Sequence, residues 1–356
     1  MKILILSSAK IKYMPYVNFC INNLDLSKHD VHFVYWNKDL CEEEIPYKNI
    51  ALHELRLKHD DDMPKPLKIF NFIKYRKFVL SILNKTDFDL IVIYYVLPAF
   101  LIFDKLHSKY KDKYIIDYRD ITFERFNFYK KAVHRVISGA KATFISSDAF
   151  REFLPDTGKI YTTHNILPET ITQTRNFYKN NNLPLKISTW GFFRDTFVNR
   201  AFTKSINNDS RFTMFFHGDP KTAGKKLQEY CAEIDSKNIS FSGRYNPSDK
   251  CKFGYDTDLL YNMFDNDKTK YALSNRFYDG IVFSIPQLCT KDSFMGEMVE
   301  KYGIGKQFDP KSPDFANEIY DYYMSLDTDE FNANCKKTLE KVLYEYNEAA
   351  DFYRNL

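Results

Sequence analysis

The chain has 356 residues, 44% of them hydrophobic and 17% aromatic, which is enough apolar material for two folded domains and excludes a disordered chain. Glycine is scarce, with 11 residues of which the first is Gly139, so the first third holds no glycine-rich dinucleotide loop and no Walker A loop. The small net charge of +4, with its basic excess in the first half, favours an anionic membrane surface or a phosphorylated ligand over nucleic acid.

The cysteines and the N-terminus indicate the compartment. The six cysteines are far apart, with no Cys-x-x-Cys pair and no histidine at zinc spacing, so we expect reduced thiols and no metal site. The apolar run at residues 2–8 is too short for a signal peptide, and no run of 18 apolar residues exists. We therefore expect a cytoplasmic protein.

Short apolar runs alternate with longer helical patterns, as in a parallel sheet covered by helices on both faces. In the first half, strands are predicted at residues 2–8, 31–36, 50–55, 90–95, 114–118, 142–146 and 161–163. Helices are predicted at residues 13–24, 68–83, 98–109 and 124–137. This pattern predicts a doubly wound domain over residues 1–170, followed by a polar, asparagine-rich linker at 171–185.

The same alternation restarts after the predicted linker. Strands are predicted at residues 186–189, 212–216, 239–242, 258–262 and 287–290, and helices at 199–206, 221–234, 274–283, 294–302, 315–325 and 331–352. The chain is therefore predicted to be α/β, with a second Rossmann-like doubly wound domain over residues 186–335. A terminal helix at residues 336–356 is expected to cross back to the first domain.

Polar residues that directly follow a strand are the first candidates for a site, because open parallel sheets bind ligands beyond the carboxyl ends of their strands. In the first domain, Asp117-Tyr118-Arg119-Asp120 follows a predicted strand. A carboxylate there could act as a general base towards a hydroxyl group. The alternative is that Asp117 caps the strand end while Arg119 and Asp120 pair with each other or with neighbours.

In the second domain, Gly191 and Arg194 follow the first predicted strand. Gly191 permits a tight turn, and an arginine near a helix N-terminus suits a diphosphate. The alternative is a surface pair of Arg194 with Asp195, with Thr196 capping the next helix. Gly218 and Gly243 also follow strands and could line a nucleotide pocket, but ordinary turn chemistry explains both.

The strongest candidate begins at Ser274. This residue is predicted to cap a helix whose first turn presents free N–H groups beside Asn275 and Arg276, which makes an anion site without a glycine loop. Asp279 lies one turn beyond Arg276 and could accept hydrogen bonds from a ribose diol. The alternative is an ordinary surface ion pair between Arg276 and Asp279.

This part of the chain resembles the nucleotide-sugar segment of GT-B glycosyltransferases, and more narrowly the family 4-like bacterial transferases of capsule, exopolysaccharide and lipopolysaccharide assembly. The matching segments are Asn275-Arg276-Phe277-Tyr278-Asp279, Ile285-Pro286-Gln287, Met298-Val299-Glu300 and Gly303-Ile304-Gly305. Arg276 takes the place of a lysine in the family pattern, and Asp279 that of the ribose-binding glutamate. Further positions match the family pattern in the same order along the chain. They are His164-Asn165 at the domain junction, Gly191 with Arg194, and Gly243.

The resemblance implies transfer of a sugar from a nucleotide-diphosphate sugar to a hydroxyl of a glycan or lipid-linked acceptor, bound in a cleft between the two domains. It implies that Arg194, Arg276 and the helix N-terminus assist departure of the nucleotide without a metal or other cofactor. Asp120 falls in the loop where such enzymes often carry a catalytic or acceptor-facing residue, so we assign it to acceptor activation. Such a role belongs to cell-surface polysaccharide biosynthesis.

The chain also departs from the family pattern. Tyr271 stands where retaining members have a glutamate, and Ser7-Ser8-Ala9-Lys10 replaces the usual N-terminal glycine loop. These departures leave open a non-catalytic subunit that binds a nucleotide sugar or glycan, or another two-domain Rossmann enzyme such as an epimerase. Asp60-Asp61-Asp62 and Asp265-Asn266-Asp267 would suit a metal-dependent transferase, but both lie in acidic loops and we discount them.

Two stretches suit contact with an anionic membrane. Residues 65–80 and 126–135 mix basic and large apolar side chains at helical spacing, so a peripheral position on the inner face of the cell membrane is expected. The alternative for both is a helix that packs on the core and exposes a basic face to solvent.

Overall fold

The computed structural model describes residues 1–14, 16–60, 63–166, 168–265 and 269–356. Contacts divide the chain into two units, the first made of Met1–His164 with Tyr344–Leu356 and the second of Asn165–Leu343. Each unit contains one parallel sheet with helices, so the predicted fold class of two Rossmann-like α/β domains is confirmed. No helix among the described residues has both the length and the apolar character needed to cross a bilayer.

The first unit contains a seven-stranded sheet. Its strands are β1 (Lys2–Leu6), β2 (Asp30–Asn37), β3 (Ile50–Arg56), β4 (Leu90–Tyr94), β5 (Tyr114–Tyr118), β6 (Ala142–Ile145) and β7 (Ile160–Thr162). Its helices are α1 (Val17–Asn23), α2 (Lys65–Lys85), α3 (Val96–Leu101), α4 (Phe103–Ser108) and α5 (Asn127–Ser138), with short 3₁₀ helices at Ile11–Tyr13 and Asp148–Phe153. The strand order is β3-β2-β1-β4-β5-β6-β7, so the chain reverses its direction of winding between β1 and β4.

The central strands of this sheet are mostly apolar because helices cover both of their faces. β1, β4 and β5 are buried almost throughout. β1 pairs with both neighbours in parallel, and Ile3 lies opposite Val31 on one side and Leu90 on the other. The continuous apolar run that predicted these strands is therefore the signature of a central parallel strand.

The second unit contains a six-stranded parallel sheet. Its strands are β8 (Leu185–Trp190), β9 (Phe212–His217), β10 (Ile239–Gly243), β11 (Leu259–Asn262), β12 (Gln287–Thr290) and β13 (Gly305–Phe308). Its helices are α6 (Phe197–Ser205), α7 (Lys221–Glu233), α8 (Lys250–Tyr255), α9 (Asn275–Val282), α10 (Phe294–Lys301), α11 (Phe315–Ser325) and the start of α12 (Thr328–Arg354), with 3₁₀ helices at Pro168–Gln173 and Pro247–Asp249. The order β10-β9-β8-β11-β12-β13 places the reversal of winding between β8 and β11.

The predicted return of the C-terminal helix to the first domain is confirmed. Helix α12 begins in the second unit, and its residues from Tyr344 onward belong to the first. Tyr353 is 1% exposed and stacks on Phe144 of β6, with ring centroids 5.1 Å apart. The end of the chain thus contributes to the core of the first unit.

Three elements differ from the sequence prediction. The helix predicted at residues 98–109 is divided into α3 and α4 at Ile102, where the guanidinium of Arg76 donates a hydrogen bond to the carbonyl of Leu101 and contacts Asp104 at 2.9 and 3.0 Å. This side chain satisfies the carbonyl that a continuous helix would use. Helix α8 and edge strand β13 were not predicted, because each is short and carries too few apolar residues to show a period.

Residues 171–185, which were predicted as a linker, pack against the second unit. Arg175 donates hydrogen bonds to the carbonyls of Phe283, Tyr255 and Thr257 at 2.9–3.0 Å. Phe177 is 1% exposed and meets the ring of Phe331 at 5.1 Å. Because most of these contacts use backbone carbonyls, the polar composition of the segment carries no sign of them.

Candidate active site

A cavity of about 740 Å³ lies in the second unit at the carboxyl ends of β8 and β11. This is the point where the strand order reverses, which is where open α/β sheets bind ligands. Six of the residues predicted for the donor site line this one cavity, namely Gly191, Arg194, Ser274, Asn275, Arg276 and Asp279. The sequence thus identified residues that are 88 positions apart and meet at one place.

The N-terminus of α9 forms one wall of the cavity, and Ser274 caps it as predicted. The Ser274 hydroxyl accepts a hydrogen bond from the backbone N–H of Phe277 at 3.3 Å and donates one to Asn262 Oδ1 at 2.8 Å. Asn262 is the last residue of β11, so the cap also ties the helix to the sheet. The positive end of the helix dipole therefore points at a fixed place in the cavity.

Arg276 is a half-buried cation on the first turn of α9. Its guanidinium donates a hydrogen bond to the Thr189 hydroxyl and lies 4.8 Å from the ring centroid of Phe264. Burial lowers the pKa of Arg276 to about 10, so it stays charged at neutral pH but loses hydration. Within the described part of the chain, no carboxylate lies within ion-pair distance of Arg276, and the alternative of a surface pair with Asp279 is wrong.

Asp279 is 6% exposed, and its hydrogen-bond partners are residues other than Arg276. Its Oδ2 accepts a hydrogen bond from Trp190 Nε1 at 2.7 Å and a second from Lys250 Nζ at 3.1 Å. Burial of a carboxylate is tolerated only when it is paired and hydrogen-bonded, and these two donors meet that condition. Sequence reasoning did not find Lys250, because it lies in the unpredicted helix α8.

Gly191 and Arg194 lie on the loop that follows β8. Gly191 has a φ of 98°, a conformation that favours glycine, and it turns the chain directly after the carboxyl end of β8. The exposed Arg194 guanidinium lies 4.7 Å from the ring centroid of Phe192. The alternative pairing with Asp195 is wrong because Asp195 binds Arg200 at 2.6 Å, whereas the predicted cap is confirmed, since Thr196 accepts a hydrogen bond from Asn199 N.

Gly243 ends β10 with a φ of 75° and is not among the residues that line the cavity. Its turn leads instead to Tyr245, which does line the cavity. Burial raises the pKa of the Tyr245 hydroxyl, so this group remains protonated and can donate a hydrogen bond. The assignment of Gly243 itself as a ligand-binding residue stays a prediction.

Asp120 belongs to the first unit, two residues beyond β5, and its side chain is exposed. Asp117 is nearly inaccessible and forms a two-point ion pair with Arg119, one contact of which measures 2.8 Å. Arg119 also lies 4.5 Å from the ring centroid of Tyr16. The alternative that Arg119 pairs with a neighbour is confirmed, since its partner Asp117 is two residues away. Catalysis by Asp120 stays a prediction.

Among the described residues, no group of three or more histidine, cysteine or acidic side chains is arranged to hold a metal ion. Asp61, Asp62, Asn266 and Asp267, from the two discounted acidic motifs, lie outside the described residues. Asp265 does line the cavity and accepts a hydrogen bond from Val198 N at 3.3 Å.

No protein-family model matches this sequence, and no curated protein matches it significantly. Solved structures do match along the whole chain. Sucrose-phosphate synthase from Thermosynechococcus elongatus is 10% identical with a TM-score of 0.77, covering 100% of this chain and 99% of that one. HepE from Anabaena, solved with UDP and glucose, is 14% identical with a TM-score of 0.64 and full coverage of both chains.

A third neighbour is the lipopolysaccharide outer core galactosyltransferase WaaB, which is 12% identical with a TM-score of 0.67 and 99% coverage of both chains. At such low identities the likeness is one of fold. It agrees with the two parallel sheets and with the reversal of strand order at which the cavity lies. The chain therefore has the GT-B fold, with two Rossmann-like domains, that glycosyltransferases of this type share.

Proposed function

We propose that the protein transfers a sugar from a nucleotide-diphosphate sugar to a hydroxyl group of an acceptor. The observation that carries this proposal is Arg276, a cation that faces the cavity beside the capped N-terminus of α9 without a carboxylate partner among the described residues. Both groups attract an anion, and a diphosphate satisfies both at once. Arg194 adds a third source of positive potential at the same cavity.

The same groups would stabilise the transition state. Negative charge develops on the leaving diphosphate as the glycosidic bond breaks, and Arg276, Arg194 and the N–H groups of α9 are in place to receive it. Asp279 would hold the ribose, since its carboxylate lines the cavity. Asp120 would remove the proton from the acceptor hydroxyl, a role that an exposed carboxylate at the end of β5 can take once the acceptor is bound.

A donor screen tests the proposed activity. UDP-, GDP-, CMP- and dTDP-sugars are incubated with the wild-type protein and with Arg276→Ala, and nucleotide release is measured. Release by the wild type that Arg276→Ala largely abolishes is expected. Binding without release under a broad set of acceptors would favour the non-catalytic alternative, and an isomerised nucleotide sugar without release would favour an epimerase.

The acceptor is proposed to be a glycan or a lipid-linked oligosaccharide of cell-surface polysaccharide biosynthesis, reached at an anionic membrane. Helix α2 carries six lysine and arginine residues and no acidic residue over its 21 positions. Its apolar side chains Leu67, Ile69, Phe70 and Ile73 are between 45% and 60% exposed. Exposed apolar groups among cations are the pattern of a helix that lies at a lipid interface, rather than of a purely solvated face.

A second group of exposed aromatic side chains lies at the N-terminal end of α5. Phe126 and Phe128 are 42% and 75% exposed, and Arg125 lies 5.0 Å from the ring centroid of Phe126. Aromatic rings beside cations suit the headgroup region of a bilayer. This group therefore supports the same proposal as the face of α2.

Charge reversal on α2 is expected to weaken membrane binding. The exposed pair Lys74 and Lys77 is changed to glutamate, and co-sedimentation with phosphatidylglycerol vesicles should fall by at least about tenfold, since each cation near an anionic surface contributes about 1 kcal/mol. Lys225→Glu with Lys226→Glu, an exposed pair on α7, is the matched control. Equal binding to phosphatidylcholine vesicles, or equal loss in both double variants, would contradict the proposal.

A further inference from the structure

Lys250 is a cation beside Asp279 to which the proposed function assigns no role. Lys250 is the first residue of α8, its side chain is 18% exposed, and its Nζ lies 3.1 Å from Asp279 Oδ2 while it lines the cavity. An ammonium group has three N–H donors. In the part of the chain that the structure describes, Asp279 is the one acceptor recorded for Lys250, which leaves donors for a ligand.

The Asp279 carboxylate is used on one side only. Trp190 and Lys250 both donate to Oδ2, and no hydrogen bond from a described residue reaches Oδ1. The cavity therefore presents a free acceptor, Oδ1, next to a free donor, the Lys250 ammonium. A lone carboxylate would offer acceptors alone.

The position of Lys250 is fixed by aromatic packing. One turn along α8, the ring of Phe253 stacks on His217 with centroids 3.8 Å apart and an angle of 6° between the planes. Tyr245 also contacts the ring of Phe253, with centroids 5.3 Å apart in an edge-to-face arrangement. Because this stack holds α8 against the ends of β9 and β10, the ammonium is placed before any ligand arrives.

We propose that Lys250 binds the nucleotide sugar directly and, together with Asp279, recognises a vicinal diol. One hydroxyl of the diol donates to Asp279 Oδ1, and the oxygen of its neighbour accepts from Lys250 Nζ. This inference rests on the proposed function and adds a residue and a selectivity to it. A diol of the ribose would complete the role proposed for Asp279, and a diol of the transferred sugar would replace that role. Both present the same chemistry to the pair.

The test compares ligands that differ by one hydroxyl. Affinities are measured by calorimetry for UDP, GDP and ADP, for their 2′-deoxy counterparts, and for the glucose conjugate of the base that binds most tightly. The variants are Lys250→Met, Lys250→Arg and the matched control Lys252→Met. Lys252 lies on the same helix, is 82% exposed and pairs with Asp249 at 3.4 Å.

For a ribose diol, the wild type is expected to bind the ribonucleotide about tenfold more tightly than the deoxynucleotide, as one well-formed hydrogen bond to a charged group allows. Lys250→Met should reduce this ratio to near one, while Lys250→Arg and Lys252→Met keep it. For a diol of the transferred sugar, Lys250→Met should instead remove the extra affinity of the glucose conjugate over the free nucleotide. Either pattern supports the inference.

A Lys250→Met protein that retains the wild-type affinities for every ligand overturns the inference while leaving the proposed function intact. A wild type that binds no nucleotide and no nucleotide sugar overturns both. If Lys250→Met does not fold, as judged by its melting curve, Lys250→Gln replaces it, because the amide keeps a donor towards Asp279 but removes the charge. For Lys250→Gln, the affinity of the ribonucleotide is again compared with that of the deoxynucleotide, and the affinity of the glucose conjugate with that of the free nucleotide.

Discussion

Replacing Arg276 by alanine is expected to lower kcat/KM for the donor by about 10²–10³-fold, the usual effect of removing one preorganised donor from a developing negative charge. Arg276 is suited to this effect because its charge is held at the cavity by Thr189 and Phe264, and no described carboxylate lies within ion-pair distance of it. A bound diphosphate would also raise its pKa from about 10 towards the ordinary value, because the anion favours the charged form.

The measurement is steady-state nucleotide release with Arg276→Ala, Arg276→Lys and the control Arg135→Ala, an exposed arginine in the first unit. Arg276→Lys should recover part of the activity, since it restores the charge but not the planar group with its several donors. A loss smaller than about threefold in Arg276→Ala would contradict the assignment, because one interaction with the charge that develops on a leaving diphosphate is worth more than that.

Replacing Asp279 by alanine is expected to destabilise the second unit by roughly 2–4 kcal/mol and to abolish nucleotide binding. The change leaves the Lys250 ammonium and the Trp190 N–H without their acceptor, and a buried donor that loses its partner costs more than the bond itself contributes. Asp279→Asn should cost less, because the amide oxygen still accepts a hydrogen bond from Trp190.

The protein offers a direct optical readout of this change. It contains two tryptophans, Trp36 in the first unit and Trp190 in the second, so urea unfolding in a Trp36→Phe background reports the second unit alone. Asp195→Ala is the matched control, because the Asp195–Arg200 pair is more exposed and pairs of that kind contribute about 0–1 kcal/mol. Equal destabilisation by Asp279→Ala and Asp195→Ala would show that the Asp279 network carries no special weight.

The fold could be predicted where burial leaves a continuous apolar run. β5 and β12 begin and end at the predicted residues because both strands are enclosed in a parallel sheet and are buried almost throughout. The division of one helix at Ile102 depends on Arg76, more than twenty residues earlier in the chain. No local pattern encodes a contact over that distance.

The site could be predicted only where its chemistry is local. The cap at Ser274 and the cation at Arg276 follow from a single turn of sequence. The partners of Asp279 do not, since Trp190 is 89 residues away, directly after a predicted strand, and Lys250 begins a helix of six residues that was not predicted. Spacing left a pair of Arg276 with Asp279 open as the alternative, but tertiary contacts give each of them a different partner.

The scarcity of glycine takes on a specific meaning in this arrangement. A glycine-rich loop would bring backbone N–H groups to a phosphate, and under the proposed function a serine-capped helix with two arginines would supply the positive potential instead. Glycine remains where the backbone needs a positive φ beside the site, as at Gly191 and Gly243. The composition therefore excludes one kind of phosphate site and not nucleotide chemistry.

Hydrogen exchange in the presence of the tightest-binding nucleotide tests directly whether a nucleotide sugar binds at the carboxyl edge of the second sheet. We expect slower amide exchange on binding in residues 189–196 and 274–279, and no such slowing in Arg276→Ala at the same ligand concentration. Slower exchange confined to residues 1–164, with the two segments of the second unit unchanged, would contradict it.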